Sequence, residues 1–205
     1  EEDKLFFAPD TYMEKIAIGS NLPKNLVDLD LGVGENIKKL SDAKKVLPHK
    51  LTACILNRPR HKDIIKTLEG MKVKINFISD GDVTGVMSVG IREMKNDIYF
   101  GVGGGPEGVL AAAALKCMDC QMQTRLVFQN DQEEERAKSL GIKDLNKKYN
   151  IEDMVKGDVI FSATGVTDGD LLNGVKYIGK NFNSETLVLH YNSKTNKVIK
   201  KQSKK

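Results

Sequence analysis

An α/β fold, with a mixed, largely parallel sheet, flanking helices and an antiparallel C-terminal edge, is predicted by two observations. Short β-rich runs alternate with helix-period segments over most of the chain, and from residue 175 onward strand-like runs follow one another without a helix between them. Taken in order, the opening thirty-odd residues carry Phe6, Phe7, Tyr12, Met13, Ile16 and Ile18 with no clean period. Strands are then expected at 51–56, 73–78, 98–102, 125–128 and 159–163, and helices at 36–45, 60–69, 83–92, 106–117 and 132–140. After residue 175 come YIGKNF, ETLVLHY and KVIKK, and the polar stretch Asn-Ser-Lys-Thr-Asn separates the last two as a hairpin turn would.

The 205 residues suit one domain, read here as 1–196 followed by a basic tail at 197–205. With 40% hydrophobic residues and 18 glycines the apolar share approaches the roughly 45–50% of ordinary globular proteins, which excludes wholesale disorder. Three cysteines exclude a disulfide-stapled miniprotein. The longest apolar stretch, 109–115, falls far short of the roughly 20 residues that cross a bilayer. The charged amino end (EEDK) is not signal-like, so the expectation is a soluble, non-secreted protein with no membrane partner. Lys197, Lys200, Lys201, Lys204 and Lys205 stand unopposed, and setting them aside lowers the formal charge from +4 to −1. The basicity therefore belongs to the tail, and a nucleic-acid-binding face is not expected.

In open α/β sheets ligands collect where strands end and helices begin, because unpaired N–H groups and helix dipoles converge there. Three such loops carry unusual residue sets. Asn57-Arg58-Pro59-Arg60-His61 places two of only five arginines one residue apart, with Pro59 stiffening the spacer. Guanidinium groups bind phosphate through paired hydrogen bonds, though an ordinary solvated loop fits the same residues; His61 reads as a helix-start polar residue. Asp80-Gly81-Asp82 offers two carboxylates that suit sugar hydroxyls or a divalent cation, or equally a turn and helix cap. The run Gly101-Val-Gly103-Gly104-Gly105-Pro106-Glu107-Gly108 precedes an Ala-rich helix, and its glycines would let a phosphorylated ligand approach the main chain. It is not a dinucleotide fingerprint, since Pro106 stands where the last glycine is needed, and Glu107 fits both a helix cap and a metal ligand.

Three further stretches carry weaker signals. Cys117-Met-Asp-Cys120 has zinc-like spacing but no second pair. Ser162, His190 and an aspartate could form a triad, yet no Gly-x-Ser-x-Gly elbow exists. The stretch from Thr164 to Asp170 reads as a ligand loop or a capped turn.

Together, the words APDTYMEKIAIG, NRPRH, SDGDVTG, GVGGGPEGVLAAAALKC and IFSATGVTDGDLL, in this order, resemble class II fructose-1,6-bisphosphatases, the GlpX-type sugar-bisphosphate phosphatases. The resemblance covers about residues 5–200. It implies the layered sugar-phosphatase fold shared with inositol monophosphatases and a cytoplasmic, homo-oligomeric enzyme. That enzyme would need Mg2+ or Mn2+ to remove the 1-phosphate of fructose 1,6-bisphosphate in gluconeogenesis. Carried over by position, Tyr12, Arg58, Pro59, Arg60, Asp80, Gly81, Asp82 and Gly104 would contact the sugar bisphosphate, and Glu107 would bind the metal. Gly105 stands where alanine is usual, and Cys120 where glycine is usual.

The family's further acidic ligands, including a Gly-Glu-Gly-Glu word, and a threonine that assists the attacking water belong to a more N-terminal stretch than this sequence contains. The expectation is accordingly a fragment, or one of two chains, that is inactive alone because Glu107 cannot by itself hold a cation wanting about six oxygen ligands. The rival expectations are an enzyme that also takes sedoheptulose 1,7-bisphosphate and a non-catalytic sugar-phosphate-binding module.

Overall fold

The computed structural model describes residues 4–204. Elements follow in the order β1 (Tyr12–Ile18), α1 (Gly32–Lys44), β2 (Thr52–Leu56), α2 (Lys62–Gly70), β3 (Lys74–Ile78), α3 (Asp82–Met87), β4 (Ile98–Gly104), α4 (Gly105–Cys117), β5 (Gln121–Val127) and α5 (Asp131–Ser139). Then come β6 (Lys148–Asn150), α6 (Ile151–Met154), β7 (Ile160–Thr164), β8 (Lys176–Ile178), β9 (Asn181–His190) and β10 (Thr195–Lys204).

Among the described residues six strands form a mixed sheet in the order β3-β2-β4-β1-β5-β6. Strand β2 runs parallel to β3 and β4, whereas β1 is antiparallel to both β4 and β5, and β5 to β6. The α/β architecture with helices on the sheet is as expected, but parallel pairing is confined to β3-β2-β4. The reason lies in β1. Ile16 and Ile18 face α1 and α2, Met13 and Ala17 face α4, and burial on both sides removes the alternation that marks a half-exposed strand.

The antiparallel C-terminal strands are not an edge of that sheet. They form a second one, β10-β9-β7 with β8 also on β9, and it includes the segment expected at 159–163. Phe161, Leu187 and Leu189 pack on Ala114 and Cys117 of α4 and on Met87. Helix α4 is therefore sandwiched between two sheets, which accounts for apolar residues all round it and for its alanines: small side chains let both sheets come close. The four layers run α1/α2, large sheet, α3/α4, small sheet.

The residues expected as a basic tail are strand: β10 pairs with β9 from Thr195↔His190 to Lys204↔Asn181 across the turn of residues 191–194, so Lys197, Lys200, Lys201 and Lys204 are ladder residues. Lys205 lies outside the described residues. The helix expected at 83–92 is shorter, ending at Met87 and giving way to tight 3-10 turns at Ser88–Gly90 and Arg92–Met94. No helix among the described residues is long and apolar enough to cross a membrane.

Candidate functional site

Because β3, β2 and β4 are parallel, their C-terminal ends and the loops after them lie at one edge of the sheet. Strand β1 is antiparallel, so it brings its first residue to the same edge: Tyr12 pairs with Gly104. All nine residues singled out from the sequence therefore gather at one end of the sheet, although they come from four segments.

The arginine loop is held from beneath. His61 is fully buried, donates from Nδ1 to the Leu56 carbonyl at 2.7 Å and accepts the Val102 N–H at Nε2 at 2.9 Å, which fixes a neutral ring bridging the ends of β2 and β4. Burial pushes its pKa down. Pro59 opens a 3-10 turn spanning Pro59–His61. Arg60 donates from Nε to the Val102 carbonyl at 2.8 Å, with its guanidinium 5.1 Å from the centre of the Tyr12 ring. Arg58 behaves differently, reaching only its neighbour, the Asn57 carbonyl, at 3.2 Å in an exposed position. The two arginines do not converge on one point through protein contacts.

The Asp80-Gly81-Asp82 segment splits as well. Asp80 faces solvent and caps the Gly81 N–H at 2.9 Å. Gly81 takes a left-handed φ of 82°, which reverses the chain and turns Asp82 inward. There Asp82 accepts from the Lys15 ammonium through Oδ2 and from the Tyr99 hydroxyl through Oδ1. Lys15, whose side chain is fully buried, also donates to the Gly104 carbonyl at 2.9 Å. Burial lowers the Lys15 pKa, a shift the Asp82 charge only partly offsets, while burial and then Asp82 raise that of Tyr99.

This network gives the glycine run a role that the sequence does not disclose. Residues 99, 101 and 103 share the α4-facing side of β4. A Cβ at Gly101 would overlap the Tyr99 hydroxyl, and one at Gly103 would overlap the Asp82 carboxylate and stand 3.1 Å from Lys15 Nζ. One at Gly108 would crowd Lys15 Cε at 2.9 Å, and one at Gly104 would strike the Glu107 carboxylate, which lies over it in the first turn of α4. These glycines make room for buried side chains rather than only for a ligand.

Tyr12, Arg60, Asp82, Gly104 and Glu107 are thus joined by contacts into one unit, with Arg58 and Asp80 outward at its rim. A cavity of about 510 Å³ adjoins it, sharing Asp80 and Gly81 and continuing along Asn76, Ser88, Asn96 and Asp170, but not reaching the arginines or Glu107. Asp170 belongs to the stretch from Thr164 to Asp170, so that loop does border the site region. Sequence reasoning missed Lys15 and Tyr99 and set His61 aside. The one signal was a lysine, next to Glu14, among the apolar residues Met13, Ile16, Ala17 and Ile18.

Among the described residues no three His, Cys, Asp or Glu side chains come together to hold a metal ion. With Asp82 bound to Lys15 and Tyr99, Glu107 is a single carboxylate, and the residues present do not make up a cation site. The cysteines are free and buried, with Cys54 raised to about 11 and Cys120 to about 12 by burial, as inert structural thiols are. His190 bonds Asp158 at 2.8 Å and Ser193 at 2.8 Å at the β9–β10 turn, not Ser162.

The family model for bacterial fructose-1,6-bisphosphatase, glpX-encoded, matches residues 1–203. The fructose-1,6-bisphosphatase class 2 of Haemophilus influenzae is 37% identical over 202 residues, covering 92% of this chain and 60% of that protein. The D-fructose 1,6-bisphosphatase class 2/sedoheptulose 1,7-bisphosphatase of Synechocystis sp. is 32% identical over 212 residues, 97% of this chain and 61% of that protein. A protein of the same description from Synechococcus sp. is 34% identical over 208 residues, 95% of this chain and 60% of its own length. The chain belongs to the glpX-encoded bacterial fructose-1,6-bisphosphatase family. It spans about 60% of the length of the curated relatives it matches.

Proposed function

We propose that this chain supplies the substrate-binding part of a metal-dependent phosphatase that hydrolyses the 1-phosphate of fructose 1,6-bisphosphate, giving fructose 6-phosphate and phosphate in gluconeogenesis. The observation that carries the reading is the meeting of Arg60, Tyr12, Asp82, Gly104 and Glu107 at one sheet edge, since a guanidinium, a glycine-lined helix start and carboxylates are the groups a phosphorylated polyol requires. In this reading Arg58 and Arg60 hold the phosphate that stays, with Pro59 fixing their spacing, and Tyr12, Gly81 and Gly104 border the sugar. Asp80 and Asp82 accept its hydroxyls. Asp82 can do so while bound to Lys15 and Tyr99, because a carboxylate has about four acceptor sites and this one keeps 13% of its side chain exposed.

Glu107 would supply one ligand to Mg2+ or Mn2+, with the others coming from outside the residues present. One carboxylate does not complete a shell of about six oxygens, so the 205 residues alone are expected to bind but not to turn over. Calorimetry of this chain with fructose 1,6-bisphosphate, repeated on Arg60→Ala, tests the binding. Uptake no tighter than that of unphosphorylated fructose overturns the reading, and phosphate release at an ordinary enzymatic rate with Mg2+ overturns the expected inactivity.

A second reading, in which sedoheptulose 1,7-bisphosphate is also taken, is favoured by the double description of two relatives and by the cavity beyond Asp80 and Gly81, whose lining includes hydrogen-bonding groups of Asn76, Ser88, Asn96 and Asp170 that suit an extra carbinol. Competition between the two sugars in the same titration separates these readings.

A further inference from the structure

Lys15 sits mid-strand in β1, with strands on both sides and α4 above. Its neighbours on that face are Met13 and Ala17, so an apolar side chain would satisfy the packing at this position. Burying an ammonium there costs several kcal/mol of lost hydration before any partner is counted. Its head is spent on two groups from different loops: the Asp82 carboxylate, at the start of α3, and the Gly104 carbonyl, at the end of β4. The chain is shaped to allow this, for Gly103 leaves space for the ion pair and Gly108 for the lysine stem. The same ammonium lies within the field of Glu107 and of Arg60.

We infer that Lys15 is a positioning residue of the site: its ammonium clamps the β3–α3 loop to the β4–α4 loop and so holds Glu107, Asp82 and the start of α4 in one relation. Tyr99 secures the other Asp82 oxygen and keeps that carboxylate from rotating away. A lysine is needed rather than an apolar residue because, among the described residues, its nitrogen is what Asp82 and the Gly104 carbonyl share, whereas Tyr99 ties Asp82 only to the beginning of β4. The inference deepens the proposed function, since it takes Glu107 and Asp82 as working parts of the site.

The test uses the whole 205-residue chain as wild type, Lys15→Met, Lys15→Arg and the double variant Lys15→Met/Asp82→Asn. Two quantities are read, amide hydrogen exchange along the chain and the affinity for fructose 1,6-bisphosphate by calorimetry. In Lys15→Met, exchange over residues 103–108 is expected to quicken about tenfold more than over residues 53–56, with a fall in affinity of about tenfold, the equivalent of one charge-assisted hydrogen bond. Lys15→Arg, which keeps a cation in place, is expected to recover part of both. Equal changes in the two segments, in a variant that still melts cooperatively, overturn the inference. Should Lys15→Met not fold, the double variant leaves no unpaired buried charge and is read by the same criterion. Wild-type chain that ignores the sugar bisphosphate defeats the functional reading alone, because the exchange arm still decides the role of Lys15.

Discussion

The floor of the site and its rim are built on opposite principles. On the floor, Lys15, Asp82, Tyr99 and His61 are bonded to groups on other strands and loops, and glycines at 101, 103 and 108 are hollowed around them. At the rim, Arg58 and Asp80 bond only to the residue next to them in the chain, Asn57 and Gly81. A floor of that kind loses its conformational freedom on folding, so little remains to be lost when a ligand arrives, whereas rim side chains must still be ordered at roughly 0.5–1.5 kcal/mol each. The difference separates residues that set geometry from residues that adapt to the guest, and substitutions on the two sides should behave differently.

The largest effect is expected from Gly103→Ala. The added methyl falls on the Asp82 carboxylate and close to Lys15 Nζ, neither of which can move without abandoning a buried partner. Overpacking of this kind costs about 3 kcal/mol, readable as a lowered denaturation midpoint at unchanged slope. A loss under about 0.5 kcal/mol would show that the floor is as adjustable as the rim. Next comes Tyr99→Phe, which removes only the hydroxyl donated to Asp82 and should lower stability by about 1.5–3 kcal/mol, as for other hydrogen bonds to charged groups.

Why the rim was legible in the sequence and the floor was not follows from the same contrast. Arg58, Arg60, Asp80 and Glu107 stand beside turn-forming Pro and Gly, and polar residues at loops announce themselves locally. Lys15 and Tyr99 lie inside strands, where their meaning depends on pairings such as Tyr12↔Gly104 that join residues far apart in the chain. The parallel trio β3-β2-β4 was readable because each strand is followed by its own helix or turn. The placement of β1 between β4 and β5 was not, since its two buried faces erase the period-two signal. The 197–204 segment misled in the opposite sense: lysines unopposed in the local sequence read as solvated tail, while the ladder to β9 is backbone pairing that brings Lys200 opposite Glu185, 15 positions away, at 2.9 Å.

His61 extends the comparison into pH. Its pKa in the folded chain lies below the ordinary 6.5 because burial disfavours the charged ring, and both ring nitrogens are already used in the neutral form. The unfolded chain therefore binds the proton more readily, so the stability due to His61 is full above 6.5 and is lost as pH falls below it toward the depressed folded value. Urea midpoints measured across that range should drop for the wild type and drop less for His61→Gln, whose amide has no proton to gain. Equal slopes in the two proteins would remove His61 from the set of floor residues.

The smallest effect on stability, and the sharpest contrast, is expected from the two arginines. Arg60→Ala loses the hydrogen bond to Val102 and the contact with the Tyr12 ring, together about 1 kcal/mol. Arg58→Ala loses a single exposed bond to its neighbour, and surface changes of that sort stay within about 0.5 kcal/mol. If both nevertheless weaken binding of fructose 1,6-bisphosphate, Arg58 acts on the guest without supporting the host, which is what defines a rim residue. If Arg58→Ala destabilises the protein as much as Arg60→Ala does, the loop is a structural unit, and the line between floor and rim must be drawn outside it.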